Sequence, residues 1–180
     1  MLRVHDYGIF KVDGGIDGIK IGNSVELPSI GYVTTALQVI AAAESFSNLA
    51  RMDGIKFGYR SGNCETLAEL YENSRGEGFE YDIKRQIITG AIVLSRDNRH
   101  LYYDRAIRAR AKICAELDEV FQKYDVIITS LDSPMVEVAN LSGCPAIALH
   151  GKQIIAPKFG EEILFKVART IEIAGGGGNE

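Results

Sequence analysis

Ser61, Ser74 and Ser142, with Lys84 as a base, are the residues with which this chain would attack an amide or ester. A serine hydroxyl is a weak nucleophile until a neighbouring base takes its proton, so the surroundings of each hydroxyl decide its chemistry. Neither a Gly-Gly-Ser-Ser stretch nor a Gly-x-Ser-x-Gly elbow occurs. Ser61 falls in a loop and Ser74 at a helix end, where serine hydrogen-bonds backbone groups. Lys84 falls in a helix and reads as a solvated charge. A thiol–imidazole pair is the other option, since Cys144 and His150 are close in sequence and Cys114 shares a helical region with His100. Such pairs form across a fold rather than along it, so proximity assigns neither.

Metal and cofactor motifs are equally thin. His5, His100 and His150 lack ligand spacing, and Cys64, Cys114 and Cys144 are odd in number without CxxC spacing. Neither zinc nor a disulfide framework is expected. The DGGIDG run lacks both the GxGxxG and the GxxxxGK[ST] spacing and reads as a turn. No catalytic residue, metal ligand or cofactor is assigned.

The densest charge cluster is Arg96, Arg99, Arg105, Arg108, Arg110 and Lys112. Arg105, Arg108 and Lys112, at i, i+3 and i+7, share one helical face. Beside acidic neighbours this is read first as a solvated face, and second as a docking face for a partner chain or an RNA backbone. A net charge of -4 offers nucleic acid no general attraction. No apolar run approaches the roughly 20 residues that span a bilayer, so a cytoplasmic protein without membrane contact is expected.

The elements that must position these groups follow from periodicity. With 46% hydrophobic residues among 180, the chain can bury a core. Alternation over residues 16–22 predicts a short strand, and residues 25–28 a second extended piece. Residues 32–51 carry apolar side chains at helical spacing. A helix over 67–75, with Leu67, Leu70 and Tyr71 as its stripe, is expected to end on Gly76 and Gly78 in left-handed conformations. Residues 81–123 read as two helices or one kinked helix with a break at 95–99. Residues 125–129, 145–149 and 153–156 read as strands, and 161–173 as a final helix. Helices covering a mixed β-sheet, an α/β fold in one domain over residues 1–174 with a flexible glycine-rich tail at 175–180, is the expectation.

The run SRGEGFEYDIKRQIITG resembles the SR-EGFG-E-KRRI-LGT pattern of the amidase signature family, most closely its tRNA-amidotransferase branch. LYYD, DVIIT, NLSGCPAI and IIAPKFGEEILFKVA are similar to later family segments, and the resemblance runs from Asp17 to Glu172. It implies the C-terminal half of the amidase signature fold, and a family activity of amide hydrolysis, usually of glutamine. The family uses a serine nucleophile, a relay serine and a lysine, carried on an N-terminal half that this sequence does not contain.

Departures bear on substrate binding. The second arginine of KRRI, which the resemblance implies helps hold glutamine, is Gln86 here, beside Arg85. An aspartate of the family site falls in a stretch that is missing after Pro134. A guanidinium grips a carboxylate through paired, charge-assisted bonds, and a carboxamide cannot supply that charge. Gln86 and Arg85 therefore mark a degenerate substrate position. The family Thr-Pro after the DVI strand is Ser130-Leu131, and Ser142 stands at a family alanine, which favours a structural role.

Three functions follow. The preferred one is a truncated, non-catalytic structural or interaction module. The second is the C-terminal component of a split glutamine amidase in tRNA-dependent amidation, completed by an N-terminal amidase half and amidotransferase subunits, with tRNA met only through the complex. The third is a hydrolase using Cys144 or a local serine. An uncovered sheet edge or apolar helix face predicts a homo-oligomer or a stable partner.

Overall fold

The computed structural model describes residues 16–23, 25–62 and 64–176. Its elements are β1 (Ile21–Asn23), α1 (Val33–Leu49), α2 (Leu67–Gly78), α3 (Tyr81–Leu94), α4 (Tyr103–Phe121), β2 (Val126–Ser130), α5 (Met135–Ser142), β3 (Ala146–Leu149), β4 (Lys152–Ile155) and α6 (Glu161–Gly176). The chain divides into two compact units, Met1–Val33 with Arg110–Glu180, and Thr34–Ala109.

The first unit is built on a four-stranded sheet in the order β1-β2-β4-β3. β1 runs parallel to β2, and β4 is antiparallel to both β2 and β3. β-branched residues dominate β2 because it is buried on both faces: Val126 and Ile127 are fully inaccessible. On one face Val126 and Ile154 pack with Ala156 and with Leu164, Val167 and Ala168 of α6. The i, i+3, i+4 spacing of those last three is what presents one apolar stripe to the sheet. Asp125 ties the start of the ladder, its carboxylate accepting from Lys20 N at 2.7 Å and its own N–H donating to Lys20 O at 2.8 Å. β3 and β4 are joined by His150 (φ 48°) and Gly151 (φ 73°). Two positive φ values in a two-residue loop make the type I′ turn that matches strand twist.

Two polar contacts hold the helices of this unit. Glu116 of α4 accepts from Ser29 N at 2.9 Å and from Ser29 Oγ at 2.7 Å. Side-chain hydrogen bonds of this kind contribute on the order of 1 kcal/mol each. Arg110 Nε donates to Leu141 O at 2.8 Å, satisfying a carbonyl in the last turn of α5, whose C-terminus is closed by left-handed Gly143.

In the second unit α3 crosses α1 at Gly90, where a Cβ would stand 2.1 Å from Ala42 O. Only glycine permits that approach. α2 opens on a capping box, Thr66 Oγ1 accepting from Glu69 N and the Glu69 carboxylate from Thr66 N. Arg75 of α2 straps the preceding loop, its Nη1 donating to Leu49 O at 2.9 Å and Met52 O at 3.0 Å, with the guanidinium 5.1 Å from the Phe79 ring centre. Left-handed Gly54 (φ 73°) lets the loop turn against Ser74.

Several expectations need correction. α2 does not stop at Arg75: Gly76 and Gly78 keep negative φ, and the helix ends at Phe79 in extended conformation. Of its expected stripe only Leu70 is buried, Leu67 and Tyr71 being exposed. Residues 25–27 join no ladder; buried Leu27 instead accepts from Ile30 N in a turn. α5 lies where no helix was expected. α6 runs three residues past 173, through Gly176, and the rest of the expected tail, 177–180, lies outside the described residues, as does His5. The two helices over 81–123 and the three later strands are as the periodicity predicts.

Substituting Gly90→Ala forces the helices apart and should cost at least about 2 kcal/mol. Gly76→Ala, with nothing within 4 Å of its new methyl, should stabilise by about 0.5–1 kcal/mol. Urea-unfolding midpoints of the two variants check this; an unchanged midpoint for Gly90→Ala would contradict the crossing.

Candidate functional site

Gln86 and Arg85 of α3 line a cleft of about 420 Å³ against α1. Leu37, Ala41 and Ala42 supply apolar wall and Gln38 a second carboxamide. Arg85 Nη2 lies 3.4 Å from Asp82 Oδ1, with the side chains 70% and 80% exposed. A pair that open to water contributes little. Thr89 Oγ1 donates to Arg85 O at 2.9 Å, which occupies the hydroxyl proton. The cleft thus offers neutral carboxamides and one solvated guanidinium already facing the Asp82 carboxylate. It can hydrogen-bond a polar group, but at Gln86 it has no buried cation to grip a carboxylate.

The candidate nucleophiles are held by other bonds. Ser61 Oγ donates to Glu77 Oε1 at 3.2 Å, and Ser74 Oγ accepts from Ser61 N at 3.1 Å. Tyr59 OH donates to Glu77 Oε2 at 2.8 Å, and the carboxylate it meets raises the phenol's pKa. Glu77, Ser61 and Ser74 together fasten the loop before α2 to that helix. Ser142 is buried, donating to Ala139 O at 3.2 Å and accepting from Cys144 N at 3.3 Å. This is a helix-end hydroxyl back-bonding its own turn. Lys84, exposed, donates from Nζ to Gly76 O.

The thiols are free and half-buried. Burial pushes the Cys144 thiol above its ordinary pKa, opposed more weakly by the Ser142 hydrogen bond and by Lys158. Cys64 Sγ donates to Ser61 O at 3.9 Å and accepts from Asn73 Nδ2 at 3.8 Å. Among the described residues no thiol–imidazole bond is formed, and no group of three or more His, Cys, Asp or Glu comes together.

Arg105, Arg108 and Lys112 are all exposed on α4, and none forms an ion pair with the described residues. Their neighbours in the cluster are engaged: Arg99 Nε lies 3.8 Å from Asp104 Oδ1, with its guanidinium 5.8 Å from the Tyr103 ring centre, and Arg110 holds Leu141 O. A cleft that sequence reasoning missed, about 740 Å³, lies at the end of β2 and includes Ser130, Ser133, His150 and Lys152. The two-residue turn of a β-hairpin was its available signal. Among the described residues no helix is long and apolar enough to cross a membrane.

A raised pKa leaves less Cys144 thiolate at a given pH than a free cysteine has. Site-resolved alkylation between pH 7 and 8 should therefore label Cys144 more slowly than free cysteine. Faster labelling would indicate an activating base beside it.

An amidase family model matches residues 18–149. Curated relatives include the A subunit of glutamyl-tRNA(Gln) amidotransferase from Shouchella clausii (strain KSM-K16), 35% identical over 86% of this chain and 38% of that protein. Its counterpart in Lachnoclostridium phytofermentans is 34% identical over 82% of this chain and 37% of its own. The chain thus spans less than two-fifths of these relatives, on their C-terminal half. Among solved structures, a chain of an inhibitor-bound vestigial complex bearing on the evolutionary origins of an s-triazine catabolic enzyme superposes with TM-score 0.53 at 17% identity, over 91% of this chain and 45% of that one. At that identity the likeness shows the fold, a mixed α/β sheet with packed helices. By the family match and the motifs that carry it, the chain belongs to the amidase family.

Proposed function

We propose that these 180 residues act as a non-catalytic structural or interaction module of the amidase family, working with a partner chain. The observation that carries this is the engagement of the candidate serines: Ser61 on Glu77, Ser74 on the Ser61 amide and Ser142 on its own helix turn, none bonded to an imidazole or amine among the described residues. Gln86 in its cleft supports the same conclusion, because it cannot pair with an α-carboxylate as a guanidinium does. The exposed Arg105, Arg108 and Lys112 are the proposed docking face for the partner chain, with tRNA reached only through such a complex. Homo-oligomerisation is the alternative way to cover that face and the sheet edges. The cytoplasm is the proposed place of action, where three free cysteines stay reduced.

The names of the relatives favour a second reading, the C-terminal component of a glutamine amidase serving tRNA-dependent amidation, whose Ser/Ser/Lys machinery another polypeptide segment provides. Glutamine hydrolysis by the purified chain, alone and mixed with the remaining portion of one of these relatives, separates the two. The chain alone should release no ammonia above background. Activity appearing only in the mixture selects the second reading, and activity of the chain alone overturns both.

A further inference from the structure

β2 is where the sheet changes from parallel to antiparallel pairing, with β1 on one side and β4 on the other. In open α/β sheets, ligands bind in the crevice outside the carboxyl ends of the parallel strands. The 740 Å³ cleft occupies that position: Asn23 and Ser130, the last residues of β1 and β2, both line it. Ser130 pairs directly with Lys152 across the β2–β4 ladder. Opposed residues share a face with Cβ atoms about 5 Å apart, so the hydroxyl and the ammonium stem project together.

At the Lys152 end of the cleft the polar side chains can donate. Ser130 Oγ accepts from Asp132 N and Ser133 Oγ from Met135 N, each at 3.3 Å, which orients both oxygens and leaves their protons to give. Lys152 has no ion pair among the described residues. His150 enters from a turn position with φ 48°, where asparagine or glycine would sit with less strain. Glu26, the one acid among the described residues lining the cleft, follows β1, the strand on the other side of β2 from β4.

We propose that the Lys152 end of this cleft binds a small oxyanion, a carboxylate or phosphate group, held by the Lys152 ammonium, the His150 imidazole and the hydroxyls of Ser130 and Ser133. Nothing in this assumes amide hydrolysis, and the site shares no residue with the Gln86 cleft.

Titrations of the full chain with inorganic phosphate and with acetate, at ionic strength fixed with chloride and followed by calorimetry or amide chemical shifts, test it. Saturable binding of at least one is expected, with shifts at residues 130–133 and 150–152. Response to phosphate alone assigns a phosphoryl ligand, to acetate alone a carboxylate. Lys152→Gln should weaken binding roughly tenfold, the loss of one charge-assisted contact. His150→Asn preserves the left-handed turn and should weaken it less, while Lys158→Gln, outside the cleft, should leave it unchanged. No saturable binding of either probe, or equal losses in Lys152→Gln and Lys158→Gln, would overturn the assignment.

Discussion

The pairing of β2 with β1 on one side and β4 on the other is the constraint on which the first unit depends. Ile127 faces Ile155 and Ile128 faces Ile154 across the antiparallel ladder, and Ile127, Ile154 and Ile155 are almost wholly inaccessible. A slip of one residue would turn each of these side chains to the opposite face. It would carry Val126 and Ile154 away from α6 and break the Asp125–Lys20 bonds that start the ladder. The same register places Ser130 beside Lys152, so packing of the core and the chemistry of the cleft at the strand ends are one geometric decision.

Polar side chains elsewhere serve shape. Arg75, Ser74 and Glu77 fasten a loop to α2, Glu116 holds Ser29, and Arg110 closes α5. Each satisfies a group that would be costly to bury alone. The hydroxyls of Ser61, Ser74 and Ser142 are held in the same way, by bonds that fix the local chain. Gly90 shows the same priority in backbone form, a residue without chemistry fixed by the closeness of two helices.

Much of this was legible in sequence where one physical signal dominates. The β-branched run in β2 and the i, i+3, i+4 stripe of α6 each permit one burial pattern, and the SRGEGFEYDIKRQIITG run carried the family likeness. α5 was not legible because eight residues give barely two turns of periodicity. The end of α2 was misread because glycine permits a left-handed stop without requiring one, and here Gly78 stays helical, its backbone close against Tyr59. Of the candidate site, Gln86 and Arg85 could be singled out by resemblance, whereas the cleft at Ser130, Lys152 and His150 depends on strand order. Strand order arises from contacts distant in sequence, and local patterns do not encode it.

The central proposal is that no candidate serine among the described residues is activated. Intact-mass and peptide analysis after exposure to a fluorophosphonate, which phosphonylates serines deprotonated by an adjacent base, tests that directly. The chain should remain unmodified under conditions that label a serine hydrolase to completion. A stoichiometric adduct on Ser61, Ser74 or Ser142 would contradict the account.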